Sequence, residues 1–597
     1  MAEESPALPV QGKPASSSTV SSSQSQTYSA PSPADNFRVF KLLPGERDDP
    51  IYCELEPYKG QSYQAISWTW QGKREGQRED IICIGSSRMK SWPNLELMLR
   101  TLRSSTHPRY LWLDYLCINM EDRQEWSDQI LQVRKIFEIA QSVCVWLGEE
   151  GDDSKSAFQL MRRLTTFTFD NGSGNSTTPR EWAALAALMN RPYFCRRWII
   201  QELAFARCIR LHCGDEVVDW LDFTDSISFL TSRAETVINI MSGSESGRPQ
   251  FPQFLNIFES IQLWPSVRLA TLIQGLVRKH ENGEIVEVLF DLKNLISQCW
   301  MFQQSVPHDI FYSIFPLSSD TQRHPQRPHR RPSSPSTMKA VNLSLREVEP
   351  RTLVLRHIPE PLFVVDYSKS FVKVCEEFVH FTFEEYGDFD ILCRPWAGLD
   401  HSQTESMPSW LQIAFSAPFE WQGQNSIWTR RDADPLVGDK SRSGSLYNAS
   451  MASKLLDGWK LNDAEHTLFV QGFILDYVGS TSSLSQAGDI PSEWYAFAEV
   501  STTSAETWPD SFWRTLVADR GPNGANPPAW YRRAFNFLST AKPNDRSPGS
   551  QPKLVLELKR RIQASIWGRR LFRTIGEGWL GLARRTVRNG DGTFSDK

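Results

Sequence analysis

The 597-residue chain has no apolar run near the ~20 residues that a transmembrane helix needs. Its start, MAEESPALPV, has neither the basic opening nor the apolar stretch of a signal peptide. A cytoplasmic protein with no membrane span is the expectation. The sequence also lacks a Walker phosphate loop, a dinucleotide glycine fingerprint, a Gly-x-Ser-x-Gly elbow and a His-Glu-x-x-His helix. Kinase, Rossmann dehydrogenase, hydrolase and zinc-protease readings lose their usual support. Neither charge sign dominates: the net charge of -5 gives no general attraction to nucleic acid or anionic membrane.

Cysteines are few, ten in all and scattered from Cys53 to Cys393. A chain of this size does not depend on disulfide staples, so reduced and mostly buried thiols are expected. Cys208, His212 and Cys213 fall close together, but no second Cys or His pair stands nearby at zinc spacing. The segment HPQRPHRR offers two histidines where a structural zinc needs four well-held ligands, so no metal site is expected.

What is present is a globular composition, 40% hydrophobic with 22 Trp, in a chain long enough for two to four domains. Residues 1–35 hold 15 Ser and Pro and almost no large apolar side chains, which predicts a disordered tail over 1–36. FRVFKLLPGERDDPIYCELE at 37–56 alternates as two edge strands around a Pro-Gly turn. SWPNLELMLRTLR at 91–103 reads as a helix joining the first two parallel strands.

The most informative stretch is Tyr110 to Gly148, YLWLDYLCINMEDRQEWSDQILQVRKIFEIAQSVCVWLG. Its first part alternates, with Tyr110, Trp112 and Asp114 on one face. Trp126, Ile130, Val133, Phe137 and Ala140 then form one helical stripe, and SVCVWLG reads as a strand buried on both faces. Strand, polar turn, helix and strand make a βαβ unit with acids at its turn. Two segments flank it. SYQAISWTWQG at 62–72 reads as another strand, and RPYFCRRWIIQELAFAR at 191–207 as a helix with Trp198, Gln201, Glu202 and Phe205 on one face.

Together these segments resemble the fungal heterokaryon-incompatibility (HET) domain. The matching residues, in family order, are Ser67, Trp68 and Trp70; Trp112, Asp114, Cys117, Ile118 and Asn119; Glu125 and Gln129; Trp146 to Gly148; and Trp198, Gln201 and Glu202. Gln71 stands where the family has its glycine, and Met120 replaces the glutamine after Asn119. PHDIFYSIFPL resembles a helix that follows the domain in relatives, with Asp309 and Tyr312 retained. Relatives continue beyond the point where this chain ends, so a truncated or divergent C-terminal region is expected.

The resemblance implies an α/β fold, a Toll/interleukin-receptor-like parallel sheet flanked by helices, over 37–225. A helical extension (226–317), a basic Pro-rich linker (318–340) and a mixed α+β C-terminal region (341–597) follow. It also implies a nonself-recognition protein that promotes cell death when unlike cells fuse. Enzymatic Toll/interleukin-receptor relatives cleave NAD with a glutamate on a Trp-x-x-x-Glu helix, which makes Glu202 the catalytic candidate, with NAD as substrate and no resident cofactor. Ser67, Trp68, Trp70, Asp114, Asn119 and Trp198 are then the ligand-binding candidates. Local capping by Asp114 and Asn119, and ion pairs from Glu202 to neighbouring arginines, are the competing structural roles. A non-enzymatic assembly module and a regulator without cell-death activity are the alternative functions. The implied partners are a protein from an incompatibility locus and further copies of the chain.

Overall fold

The computed structural model describes residues 37–69, 79–84, 87–91, 93–119, 122–165, 177–234, 237, 261, 264–321, 365–394, 396, 407–412, 418–422, 427–435, 459–462, 464–470, 472–499, 509–521, 525–540 and 552–596. The Ser/Pro-rich tail, Trp70, Gln71, Met120 and nearly all of the basic linker lie outside the described residues. The fold is mixed α/β. The chain divides into two compact units, one running to Ile136 with Ala140–Glu149 and His212–Asp215, the other holding Phe137–Ile139, Glu150–Leu211 and everything from Glu216 onward.

The first unit is built on seven strands: β1 (Arg38–Leu42), β2 (Ile51–Pro57), β3 (Gln64–Ser67), β4 (Glu79–Ile84), β5 (Ser87–Ser91), β6 (Arg109–Trp112) and β7 (Ser142–Trp146). Their order is β5-β4-β2-β1-β6-β3-β7. The βαβ logic of the sequence appears in the trio β6-β3-β7, where β3 runs parallel to both neighbours. Helix α1 (Pro93–Leu102) returns the chain from β5, at the far edge of the sheet, to β6, and α2 (Asp114–Cys117) with α3 (Arg123–Ile139) leads it on to β7. Every residue of β7 is buried, as expected of a strand covered on both faces.

Two expectations are corrected. β1 and β2 are not edge strands. β1 pairs antiparallel with both β2 and β6, and β2 pairs parallel with β4. The hairpin β4–β5 extends the sheet past them, so the sheet has a parallel core with antiparallel additions rather than being parallel throughout. β2 still alternates, with Ile51 and Cys53 buried and Tyr52 and Glu54 exposed.

The second unit contains α4 (Ser154–Thr165), α5 (Pro179–Met189) and α6 (Ile199–Phe205). The helix expected over 191–207 is broken. A 3-10 turn, Pro192–Cys195, precedes α6, because the main chain at Cys195 to Arg197 bonds to Gln303 on both sides. Farther on, Asp309–Tyr312 is a helix, as the resemblance implies, and Phe371–Tyr386 is another. The last part carries a four-stranded antiparallel sheet of β8 (Gly472–Leu484), β9 (Arg569–Thr574), β10 (Leu580–Arg584) and β11 (Gly592–Asp596), in the order β10-β9-β8-β11. Its own core gathers Trp494, Phe512, Leu516, Tyr531, Leu558 and Leu571.

At the end of β7, the buried Trp146 indole donates to Asn94 Oδ1 at 2.8 Å, while the Asn94 amide donates to Thr69 O at 3.1 Å. The first turn of α1 therefore holds the ends of β3 and β7 together. Trp146→Ala is expected to destabilise the protein by about 3–5 kcal/mol through a core cavity. Trp146→Phe, which mainly removes the hydrogen bond, should cost about 1 kcal/mol. Chemical denaturation of the two variants checks the ratio.

Candidate functional site

Because β3, β6 and β7 are parallel, their carboxyl ends lie along one edge, where ligands of such sheets collect. Ser67 closes β3 and is fully buried. Trp68 follows at 1% exposure, and its indole donates to Asp114 Oδ1 at 3.2 Å. A ligand ring could stack on Trp68 only if the core opened. β6 stops at Trp112, so Asp114 is not a strand residue; it opens α2, and its Oδ1 also accepts the Tyr115 N–H at 2.7 Å. This is the local turn role that short acids favour, combined with a clamp on the neighbouring strand end.

The register of β1 against β6 pairs Phe40 with Leu111 and Leu42 with Arg109, which carries Arg38 to the same edge. Arg38 is 1% exposed and its Nε donates to Cys117 O at 3.1 Å. Its guanidinium pairs with Glu125, whose Oε1 also accepts the Asn119 N–H at 2.9 Å. Glu125 sits in the first turn of α3, whose N-cap is Asp122, accepting from the N–H groups of Gln124 and Glu125. One buried ion pair thus joins a central strand, the α2 carboxyl end, the Asn119 turn and the α3 start. Burial in this setting pushes the Cys117 thiol up to about 12, so it is an inert packing group. Sequence reasoning placed Glu125 in a motif without a role and passed over Arg38, whose signal was a lone cation in the apolar run FRVF.

The second unit carries the other signature residues. Gln201 is wholly buried, and among the described residues neither amide atom has a hydrogen-bond partner. Glu202, on the same short helix, is 8% exposed. Arg197 is fully buried and donates to the carbonyls of Ile310, Cys299 and Trp396. Burial lowers its pKa to about 10. Trp198 hydrogen-bonds the carboxyl of Asp309, which also accepts from Tyr367 Oη at 2.7 Å. Burial, opposed by these two donors, raises the Asp309 pKa from 3.8 to about 6. Tyr312, on the same short helix, donates through its hydroxyl to Asp366 O at 3.1 Å. The retained pair Asp309 and Tyr312 therefore fastens the stretch that holds Asp366 and Tyr367.

Nine cysteines among the described residues are free thiols, with only Cys208 and Cys393 exposed. Among the described residues no group of three or more His, Cys, Asp or Glu is placed to hold a metal ion, and no helix is long and apolar enough to cross a membrane.

Residues 63–202 match the family model described as heterokaryon incompatibility protein (HET). Residues 63–202 carry a HET domain. Over 235 residues it is 24% identical to heterokaryon incompatibility protein 6, OR allele, of Neurospora crassa. That alignment covers 31% of this chain and 34% of the relative, about a third of each. No solved structure matches. All the site residues named above from Ser67 to Glu202 fall inside the HET match, whereas Arg38 and Asp309 lie outside it.

Removing one side of the buried pair leaves a charge uncompensated. Glu125→Gln is expected to cost about 3–5 kcal/mol, and the double replacement Arg38→Met with Glu125→Leu markedly less. A double-mutant cycle by denaturation measures this. A raised acid pKa contributes stability that is complete below the unfolded value and lost as pH rises through the folded one. The stability of wild type relative to Asp309→Asn should therefore fall between about pH 4 and pH 6. Melting temperatures of both proteins across that window check the sign.

Proposed function

We propose that this protein acts in heterokaryon incompatibility, its HET domain triggering cell death when genetically unlike cells fuse, in the cytoplasm. The observation that carries the reading is the ordered motif set of the HET domain within 63–202. A relative named for heterokaryon incompatibility, aligned over about a third of its length, supports it. Recognition would run through a protein partner from an incompatibility locus or through further copies of the chain.

For the mechanism, NAD cleavage by Glu202 is the enzymatic reading. Breaking the nicotinamide glycosidic bond develops oxocarbenium character that a carboxylate can stabilise or trap. The spacing from Trp198 to Glu202 and the likeness to Toll/interleukin-receptor enzymes support it. Asp114 and Asn119 are the candidates for ribose hydroxyls and amide contacts. A non-enzymatic assembly module is the second reading, and one observation favours it: signature groups are engaged inside the fold. Trp68 holds Asp114, the main-chain N–H of Asn119 is tied to Glu125, and Trp198 is tied to Asp309.

Expression of wild type, Glu202→Gln and Asp114→Ala at matched soluble abundance in a fungal host separates the readings. The enzymatic reading expects NAD to fall with wild type and to hold with Glu202→Gln. Cell death at unchanged NAD sinks that reading in favour of assembly. Absence of toxicity in every arm sinks the cell-death role and leaves a regulator.

A further inference from the structure

The carboxyl-terminal sheet carries a charge imbalance opposite to that of the whole chain. Between residues 552 and 596 stand ten Lys and Arg against four Asp and Glu, in a chain whose net charge is -5. Part of this excess converges on a cleft of about 530 Å³ lined by Arg570, Arg585, Arg588, Thr481, Thr586 and Asn589. Among the described residues no carboxylate lines it. Among the described residues none of the three arginines forms an ion pair. Arg570 leans on Ser482 O at 3.4 Å, and its Nε is buried with no acceptor.

The turn that presents Arg585 and Arg588 is held in place. Gly590 N–H donates to Val478 O at 2.7 Å, and Val478 N–H donates to Asp591 O at 2.8 Å, so the turn is pinned to β8. Asp591 is the nearby acid, and its Oδ2 accepts the Arg588 N–H at 2.8 Å. A neighbouring cleft of about 890 Å³ makes the contrast: its two arginines, Arg514 and Arg573, are already paired with Asp519 and Glu499. Three unneutralised guanidinium groups in one fixed concavity repel one another unless an anion sits among them.

We propose that this cleft binds a phosphate-bearing anion. Arginine forks match phosphate oxygens through paired charge-assisted hydrogen bonds, and the Thr481 and Thr586 hydroxyls with the Asn589 amide supply neutral donors beside them. The size suits a small phosphorylated molecule or a lipid headgroup. A nucleic-acid strand is disfavoured because the only apolar lining residue is Val587, and no aromatic side chain is there to stack a base. The site is remote in sequence from the HET match and stands independently of the incompatibility reading.

The test is titration calorimetry of the full chain with inorganic tripolyphosphate at low ionic strength. Wild type should bind at a single saturable site that weakens as salt is added. Arg585→Gln with Arg588→Gln, both exposed positions, should weaken binding at least about tenfold. Arg514→Gln, an exposed arginine outside the cleft, should leave it within about twofold. Unchanged far-UV spectra and melting temperature keep the comparison valid. Vesicles of phosphatidylcholine carrying phosphatidylinositol 4-phosphate, run with the same variants, assign the anion to a headgroup if they bind and to a soluble molecule if they do not. Absence of saturable binding by wild type, or equal loss in Arg514→Gln, overturns the proposal. Tighter, variant-sensitive binding of polyuridylate RNA overturns it in favour of nucleic acid.

Discussion

The first unit depends on a guanidinium that water does not reach. Arg38 sits on a strand with neighbours on both sides, so its charge must be compensated from within the fold. The compensation comes from Glu125 and from the carbonyl of Cys117, which fixes where α2 ends and where α3 begins. The Asn119 turn, which lies between them, is then held through its main-chain N–H. A buried pair of this kind is weak evidence for net stability, since an apolar replacement can serve as well. Its value is positional, because it selects one arrangement of strand, turn and helix over others that would bury the same apolar surface.

The second unit solves a similar problem with opposite signs kept apart. Arg197 donates to three main-chain carbonyls, and Asp309 accepts from an indole and a phenol. Neither relies on a direct ion pair. Carbonyl acceptors leave the guanidinium at a lowered pKa and neutral donors leave the carboxyl at a raised one, which is the signature of burial outweighing charge pairing. Such groups lock segments that are far apart in the chain, here the helix Asp309–Tyr312 to the stretch starting at residue 365.

Much of this architecture was legible in the sequence where one physical signal dominated. The apolar run SVCVWLG became a strand buried throughout, and the stripe from Ile130 to Phe137 became the covered side of α3. The segment RRLFRTIGEGWLGL likewise reads as a strand pair and forms one, β9 against β10. Reading failed where the deciding contact was distant. Nothing local in RPYFCRRWIIQELAFAR announces the break before Trp198, because it is made by main-chain bonds to Gln303, about a hundred residues on. The strands β1 and β2 looked like edges because β4 and β5, in a polar stretch with weak alternation, gave no sign that they extend the sheet.

The candidate site was legible as a list of residues and not as a set of roles, for a reason that bears on function. Trp, Asp, Asn, Gln and Glu at strand and helix ends can serve a ligand or the fold with the same hydrogen-bonding groups, and spacing does not distinguish the two. In this protein several of those positions are already engaged: Trp68 with Asp114, the main chain of Asn119 with Glu125, Trp198 with Asp309. Gln201 differs: among the described residues neither atom of its wholly buried amide is bonded. An unsatisfied buried amide costs on the order of 1–3 kcal/mol. That cost makes Gln201, beside Glu202 on the same helix, the signature position where a scaffold role alone is least adequate.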